Sequence, residues 1–549
     1  MKYKILSRLK ITSKFKTKDL IELILINRGI KTKKEKELFL NPKLSEVTIE
    51  SSGISIKEVE KAKKRVKKAI ENKEEIVVFG DYDVDGICGT AILWETLNKM
   101  GAKVMPYIPH RLSEGYGLSE KGIKNVKTQT KNIKLIITVD NGSVAKEAVD
   151  FANKEGIDVI ITDHHTFSST RPNSIATVHS TNICGAAVAW LFSRALGSKD
   201  ESHLELAAIA TVADLVPLTN LNRIIVKQGI EKIKNTKRIG LLELFYEAGL
   251  EASGIGSYEI GHIISPRINA MGRMEYAMDS LRLLCTRDRI RAKELARKIS
   301  ETNRKRQVLT IDTTTEVINK VRKTIGNKKI IFIGDEEYNQ GIIGLVAGKL
   351  VEEFYLPAIV VSKGKTLSKA SARSIKGFNI VEFIRDCSDF LIDVGGHPMA
   401  AGFTVETGKI FLVKKKMEKL AEKMITADLL SKEMVIDSEI SLQIINLELI
   451  AELEKLAPFG PANPTPGFLT KNLIIDSMRL VGSDGRHLKL SLRDSKTETK
   501  IEAIAFNLGK KAEELKAEDR VDVVYTISVN EWNGNRSPQL KIKDLLKAS

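Results

Sequence analysis

Cysteine is scarce, with four in 549 residues, and Cys88, Cys184, Cys285 and Cys387 stand singly. No spacing suits a zinc knuckle or a disulfide framework, so a reducing, cytoplasmic setting is expected. Long apolar runs are missing too. Stretches such as LIELILI (20–26) fall far short of the ~20 residues that cross a bilayer, so no membrane association is expected. The basic start MKYKILSRLK leads into polar ITSKFKTKD, not an apolar core, which argues against a secretory signal. Aromatic residues make up only 5%, so any base stacking is sparse. Acid is in deficit: 70 acidic against 87 basic residues leave a net charge of +17. Such a surplus favours a polyanionic partner such as nucleic acid. It also fits plain lysine-rich helix faces like KAKKRVKKAI (61–70), so charge alone leaves both readings open.

The acids that are present fall in telling places. Three strand-like runs end in acid: EEIVVFGDYDVDG (74–86), KLIITVDNG (134–142) and DVIITDHH (158–165). Groups that follow buried parallel strands converge at one sheet edge, where ligands of open α/β sheets bind. Asp81, Asp83, Asp85, Asp140, Asp163, His164 and His165 are delivered there. Carboxylate oxygens suit Mg²⁺ or Mn²⁺, and added imidazole tilts the preference to Mn²⁺. Each acid alone could simply cap the next helix. Seven such groups in one lobe are better explained by a pair of divalent ions.

The length implies about three domains. Residues 1–50 read as a mostly helical lead-in, and 51–220 alternate strands and helices, as parallel βαβ units do. Residues 221–325 read as helical and include a long charged stretch, RDRIRAKELARKISETNRKRQVLTIDTTTEVINKV, that could serve as a rigid spacer. A second α/β segment covers 326–427. The tail, 428–549, alternates polar and apolar residues in short runs, as a small β-barrel does.

DYDVDG, VDNG, DHH and TVADLVPL (211–218) together resemble the ordered motifs of the DHH/DHHA1 phosphoesterase superfamily, and within it the RecJ family of single-strand-specific exonucleases. YIPHRLSEGYGLS (107–119), PRINAMGRM (266–274), NQGIIGLVAGKL (339–350), SARSIKGFNIVE (371–382), GGHPMAAGF (395–403) and PFGPANPTPGF (458–468) extend the likeness to the C-terminus. The resemblance implies a parallel-sheet DHH catalytic lobe joined by a long helix to an α/β DHHA1 lobe, with a C-terminal OB-fold barrel. It implies a 5′→3′ single-stranded-DNA exonuclease that releases 5′-mononucleotides, in DNA repair and recombination. Two divalent ions, Mn²⁺ or Mg²⁺, would be held by Asp83, Asp85, Asp140, His164 and Asp214, with Asp81 in the cluster and Asp140 bridging. Asp163 would orient an imidazole, His165 would touch the scissile phosphate, and Arg111, counted with the catalytic groups, would bind phosphate oxygens. Ser371, Arg373, Gly396 and His397 would hold the 5′ phosphate. His110, Tyr116, Arg267, Asn269 and Arg273 would line the strand path, and Phe506 and Trp532 would stack bases in the barrel. Single-stranded DNA is the implied partner of a monomer, with a single-strand-binding protein and a helicase as protein partners.

One departure is local. In ATVHSTNICGAAVAW (176–190), His179 and Ser180 stand where the family shows Asn-Pro and a longer loop, and His179 reads as structural. Two other readings remain: a DHH–DHHA1 phosphodiesterase of short oligonucleotides or cyclic dinucleotides, and a non-catalytic DNA-binding replication scaffold. A pyrophosphatase on the same lobe would need histidine where Phe79 stands.

Overall fold

The computed structural model describes residues 2–7, 9–12, 16–111, 113–130, 132–167, 170–482 and 484–548. The chain forms two compact units. One comprises residues 48–214 and 228–432, the other residues 1–47, 215–227 and 433–549.

The first unit begins with a five-stranded parallel sheet, in the order Lys103–Tyr107, Glu75–Gly80, Ile133–Val139, Asp158–Asp163, Ala176–His179. Its central strands are β-branched runs buried on both faces, as parallel sheets require. Ile76, Val77, Val78 and Phe79 are all within 1% of full burial. Helices Glu120–Gln129 and Lys146–Lys154 cover one face through Ile123, Val126, Val149 and Ala152. Helices Val84–Lys99, Gly185–Ala195 and His203–Ala213 pack together. Strand order reverses beside Glu75–Gly80, so the acids after that strand and after Ile133–Val139 meet at the switch point.

The expected helical region is present, with a π-helical turn at Ile260–Ile264 that periodicity does not reveal. The long helix runs Arg289–Thr324, 36 residues or roughly 54 Å. Asp288 caps it by accepting from the Ile290 and Arg291 N–H groups. It is a shared wall more than a free spacer. Ala292, Ala296 and Ile299 are buried at its start, where it packs on Ile239–Ala248 and Ser265–Met274. Val317 and Val321 join the core of the next lobe. That lobe is a mixed sheet in the order Leu391–His397, Ala400–Glu406, Leu367–Arg373, Ala358–Ser362, Ile331–Asp335, with one parallel pair at the end.

The second unit is a closed barrel of Phe468–Val481, His487–Asp494, Lys500–Ala505, Asn535–Lys547 and Arg520–Trp532, sealed by pairing of the first two. A register shift between Ile475 and Ser477 bends the first strand. The N-terminal segment has the expected helices but also two strands. Lys2–Ile5 runs parallel to Glu433–Ile436, and Lys10–Ile11 parallel to Ser438–Ile440. Helix Thr17–Asn27 sends Leu20, Ile21, Ile24 and Leu25 into the barrel's core. Residues 215–227 are stapled to the same unit by Arg223, which is 1% exposed. Its guanidinium lies 3.7 Å over the Phe39 ring and donates to the carbonyls of Phe39, Lys455, Leu456, Ala457 and Pro458. Among the described residues, no helix is long and apolar enough to cross a membrane.

Candidate metal centre

Asp83 is the N-cap of helix Val84–Lys99, accepting from the Asp85 and Gly86 N–H groups at 2.9 and 3.1 Å. Capping and metal binding are therefore compatible roles for one carboxylate. Gly86 is required by close approach. A Cβ there would lie 2.5 Å from the Asp81 N and O atoms. Asp85 points across to helix Gly185–Ala195, whose first two N–H groups donate to its two oxygens at 2.7 Å. Gly185 is what admits the helix end, because a Cβ would meet the Asp140 side chain at 2.8 Å.

Asp140 follows its strand with φ +60°, a left-handed conformation that Asp tolerates better than most residues. His164 Nε2 is 3.1 Å from Asp140 Oδ1, 3.6 Å from Asp85 Oδ2 and 3.8 Å from Asp214 Oδ2. Asp163 is fixed beneath them. It accepts from the backbone N–H of Ser143, His164 and His165 and from His165 Nδ1 at 2.8 Å. His179 Nε2 donates to the His165 carbonyl at 2.8 Å, the structural role read from sequence.

Potential ligand atoms fall into two sets, each within 4.8 Å: Asp85, His164 and Asp214, and Asp81, Asp83 and Asp140. Asp140 also groups with His164 and His165, so it touches both neighbourhoods. The acids burden one another electrostatically. Burial, then Asp83, pushes Asp81 up to about 7. Burial, then Asp85 and Asp83, pushes Asp214 up to about 8. Asp140 and Asp83 are raised by burial and by the neighbouring acids. The buried Oδ1 atoms of Asp81 and Asp140 have no hydrogen-bond partner. Like charges gathered at this density are costly. An oxygen-rich set with one imidazole fits Mn²⁺ or Mg²⁺. Burial lowers His164, keeping the imidazole neutral as a ligand must be. Burial also pulls on His165, but Asp163's hydrogen bond and charge prevail and lift it to about 9. A second acidic group, Glu95, Asp200 and His203, is different in kind. Arg238 grips Glu95 with both ends of its fork and Lys99 pairs with Asp200, so its charge is already balanced.

The partner lobe brings the opposite charge. Arg373 Nη1 donates to the Ala372 carbonyl at 2.8 Å and reaches the Ser371 hydroxyl at 3.3 Å. Both pack on Gly344, where a Cβ would lie 2.9 Å from Ser371 Oγ and 3.0 Å from Arg373 Nη2. That glycine opens helix Ile343–Phe354, whose N-terminus favours anions. Burial, then Arg111, pushes Arg273 down to about 10, and the same two influences lower Arg373. Among the described residues, none of these three arginines is paired with a carboxylate. Gly396 has φ +139°, and a Cβ there would meet the Ala400 carbonyl at 2.3 Å. The next residue, His397, stacks on His165 with ring centroids 5.7 Å apart, bringing the end of one sheet to the edge of the other.

Other sequence candidates sit at various removes. Asn269 accepts from the Val84 N–H at 3.1 Å, so it braces the acidic loop. Arg267 bonds to the Ile263 carbonyl and lies near Arg304. His110 bonds to Ser113 within its own turn. Tyr116 is 69% exposed, with its hydroxyl close to Gly395. Phe506 and Trp532, in the barrel unit, are 53% and 73% exposed and so are surface groups. Trp532 starts a tight hairpin whose turn residues Asn533 and Gly534 are both left-handed. Sequence reasoning misses Gly185, Gly344, Gly341 and Tyr82. The first three lie in quoted motifs, but what each must avoid is far away in sequence.

The DHH family N-terminal domain matches residues 75–217, the DHHA1 domain 317–426 and the RecJ OB domain 436–544. The chain is 35% identical to the single-stranded-DNA-specific exonuclease RecJ of Bacillus subtilis, over 97% of this chain and 69% of that protein. It is 30% identical to RecJ of Escherichia coli, over 89% and 90%. RecJ of Thermus thermophilus in complex with Mn²⁺ superposes with a TM-score of 0.83 at 28% identity, over 100% of this chain and 80% of that one.

Proposed function

The chain belongs to the RecJ family of single-stranded-DNA-specific exonucleases, and on that premise we propose that it degrades a strand from the 5′ end, releasing 5′-mononucleotides. The observation that carries the reading is one of opposed charge. Clustered acids lie around His164 and His165, His397 stacks on His165, and in the partner lobe's pocket three arginines have no acid partner among the described residues. Two divalent ions, Mn²⁺ or Mg²⁺, fit the acid set. Asp85, His164 and Asp214 would hold one, Asp81 and Asp83 the other, and Asp140 both. When bound, such ions lower the pKa of water and offset charge on the attacking and leaving oxygens.

The protein's own groups do the rest. Asp163 fixes the His165 ring and its proton at Nδ1, which leaves Nε2 for the scissile phosphate. His397 stacks alongside. Ser371, Arg373 and the helix end at Gly344 take the terminal phosphate, with Arg111 and Arg273 closing the pocket. Holding that end fixes which phosphodiester lies over the acids, which makes cleavage directional. Arg267 and Tyr116 flank the path, His110 and Asn269 shape its turns, and Phe506 and Trp532 stack bases in the barrel. Catalysis would thus reside in 51–220, end recognition in 326–427 and strand binding in 428–549, with 221–325 connecting them and 1–50 serving the barrel. The same reading makes the enzyme a cytoplasmic monomer supplied by a helicase and a single-strand-binding protein.

The test is a long 5′-phosphorylated strand labelled at either end and incubated with Mn²⁺. Labelled mononucleotide appears first from the 5′ label. Cleavage of a dinucleotide with no action on the long strand would favour the short-oligonucleotide phosphodiesterase instead.

A further inference from the structure

Tyr82 stands between two of the acids, in the order Asp81-Tyr82-Asp83. Asp83 has extended backbone, and successive side chains of an extended chain point to opposite sides. The ring accordingly leaves the acid cluster and meets the arginines. The Arg111 guanidinium carbon is 4.8 Å from the ring centroid. Helix Ser265–Met274 supplies the other wall. A Cβ on Gly272 would lie 2.6 Å from the Tyr82 carbonyl oxygen and 3.0 Å from its Cδ2. The next residue on that helix is Arg273. Arg273 and Arg373 are both near enough to act on the phenol electrostatically.

Three like charges in one pocket repel, and among the described residues none has an acid to hold it in place. For Arg111 the described contact is the face of this ring. A ring held rigidly on both sides by neighbouring ligand residues is a fixed surface. A cation–π contact on it fixes the guanidinium relative to the acids. We propose that Tyr82 is a positioning residue: its ring seats Arg111 in the phosphate pocket at a set distance from the metal-binding acids, and so creates the preference for a phosphorylated 5′ end. This rests on the reading of the Arg373 pocket as the terminal phosphate site.

The experiment compares Tyr82→Leu, Tyr82→Phe and Arg373→Ala in the full chain. It measures kcat/KM on 5′-phosphorylated and 5′-hydroxyl strands, and Mn²⁺ affinity by calorimetry. In Tyr82→Leu the phosphorylated-to-hydroxyl ratio should fall about tenfold through KM, with Mn²⁺ affinity kept. Tyr82→Phe, which retains the ring, should restore the ratio. An unchanged ratio in Tyr82→Leu would overturn the proposal. So would a Phe variant as impaired as Leu, or equal loss on both substrates with weakened Mn²⁺ binding. If Arg373→Ala leaves the ratio intact, the terminal-phosphate reading itself fails. If Arg373→Ala lowers it and Tyr82→Leu does not, only the role of Tyr82 fails. Should Tyr82→Leu not fold, Arg111→Lys makes the same test, because it keeps the charge but loses the planar stacking surface. A lowered ratio supports the proposal and an unchanged one overturns it.

Discussion

The acid edge of the parallel sheet and the arginine pocket of the partner lobe carry opposite charge and share one difficulty. Each gathers like charges where water is scarce. Burial and mutual repulsion raise Asp81, Asp140 and Asp214 and lower Arg273 and Arg373. They differ in how they are held. Backbone N–H groups clamp Asp83, Asp85 and Asp163, from a helix start, another helix start and a tight turn. The arginines hang on long stems from carbonyls and one aromatic face. The acid edge is held by short side chains on backbone N–H groups, whereas in the arginine pocket Arg273 and Arg373 reach on long stems and Arg111 lies against the face of Tyr82. On the proposed reading, the acids that would hold the metal are fixed by backbone, and the groups that would catch a chain end are fixed by side chains and one ring.

The contrast can be broken most severely at Asp140. Asp140→Ala should lower hydrolysis by several kcal/mol, roughly 10³-fold or more, while strand binding by fluorescence anisotropy persists. Mn²⁺ should raise Tm in the unaltered protein and do so less in this variant, because relief of repulsion is linked to folding. Asp163→Asn comes next. It disturbs the clamp on His165 without removing a proposed ligand, so activity should drop about 10–100-fold with altered Mn²⁺ affinity by calorimetry. Arg373→Ala should act selectively, at about tenfold or more in kcat/KM on phosphorylated ends and little on hydroxyl ends. Trp532→Ala should have the smallest effect, weakening single-strand affinity by about 1–3 kcal/mol with the salt dependence of binding unchanged. If Asp140→Ala and Arg373→Ala lose binding and cleavage alike, the two regions are not separable in function.

The acid edge is legible in the sequence because each member follows a strand whose buried β-branched run is itself visible. Parallel topology then dictates that the ends converge. Asp214 is reached only through the family motif, since it ends a helix and has no strand to announce it. The arginine pocket is partly legible. Ser371 and Arg373 stand in a motif, but their company with Arg111 and Arg273 depends on contacts across hundreds of residues. Gly185 and Gly344 show why. Each is needed for the side chain it spares, and that side chain lies far away in sequence. Asn269 reads as a strand contact because a polar residue in a helix carries no sign of its partner, here the Val84 N–H. The N-terminal strands escape for a similar reason: they are short, and their partners lie beyond residue 430.

Those late partners matter for the order in which the protein is made. Lys2–Ile5 is made more than four hundred residues before its partner Glu433–Ile436. Arg223 likewise waits for the carbonyls of residues 455–458. The unit of residues 48–214 and 228–432 has its whole sequence by then. The barrel unit waits for Asn535–Lys547, which closes it. Closing so long a loop is entropically costly and slow, so Lys2–Ile5 is synthesised well before the strand it docks on and pairs only after it. A nascent chain stalled before residue 433 would carry a complete acid edge and an unfinished barrel.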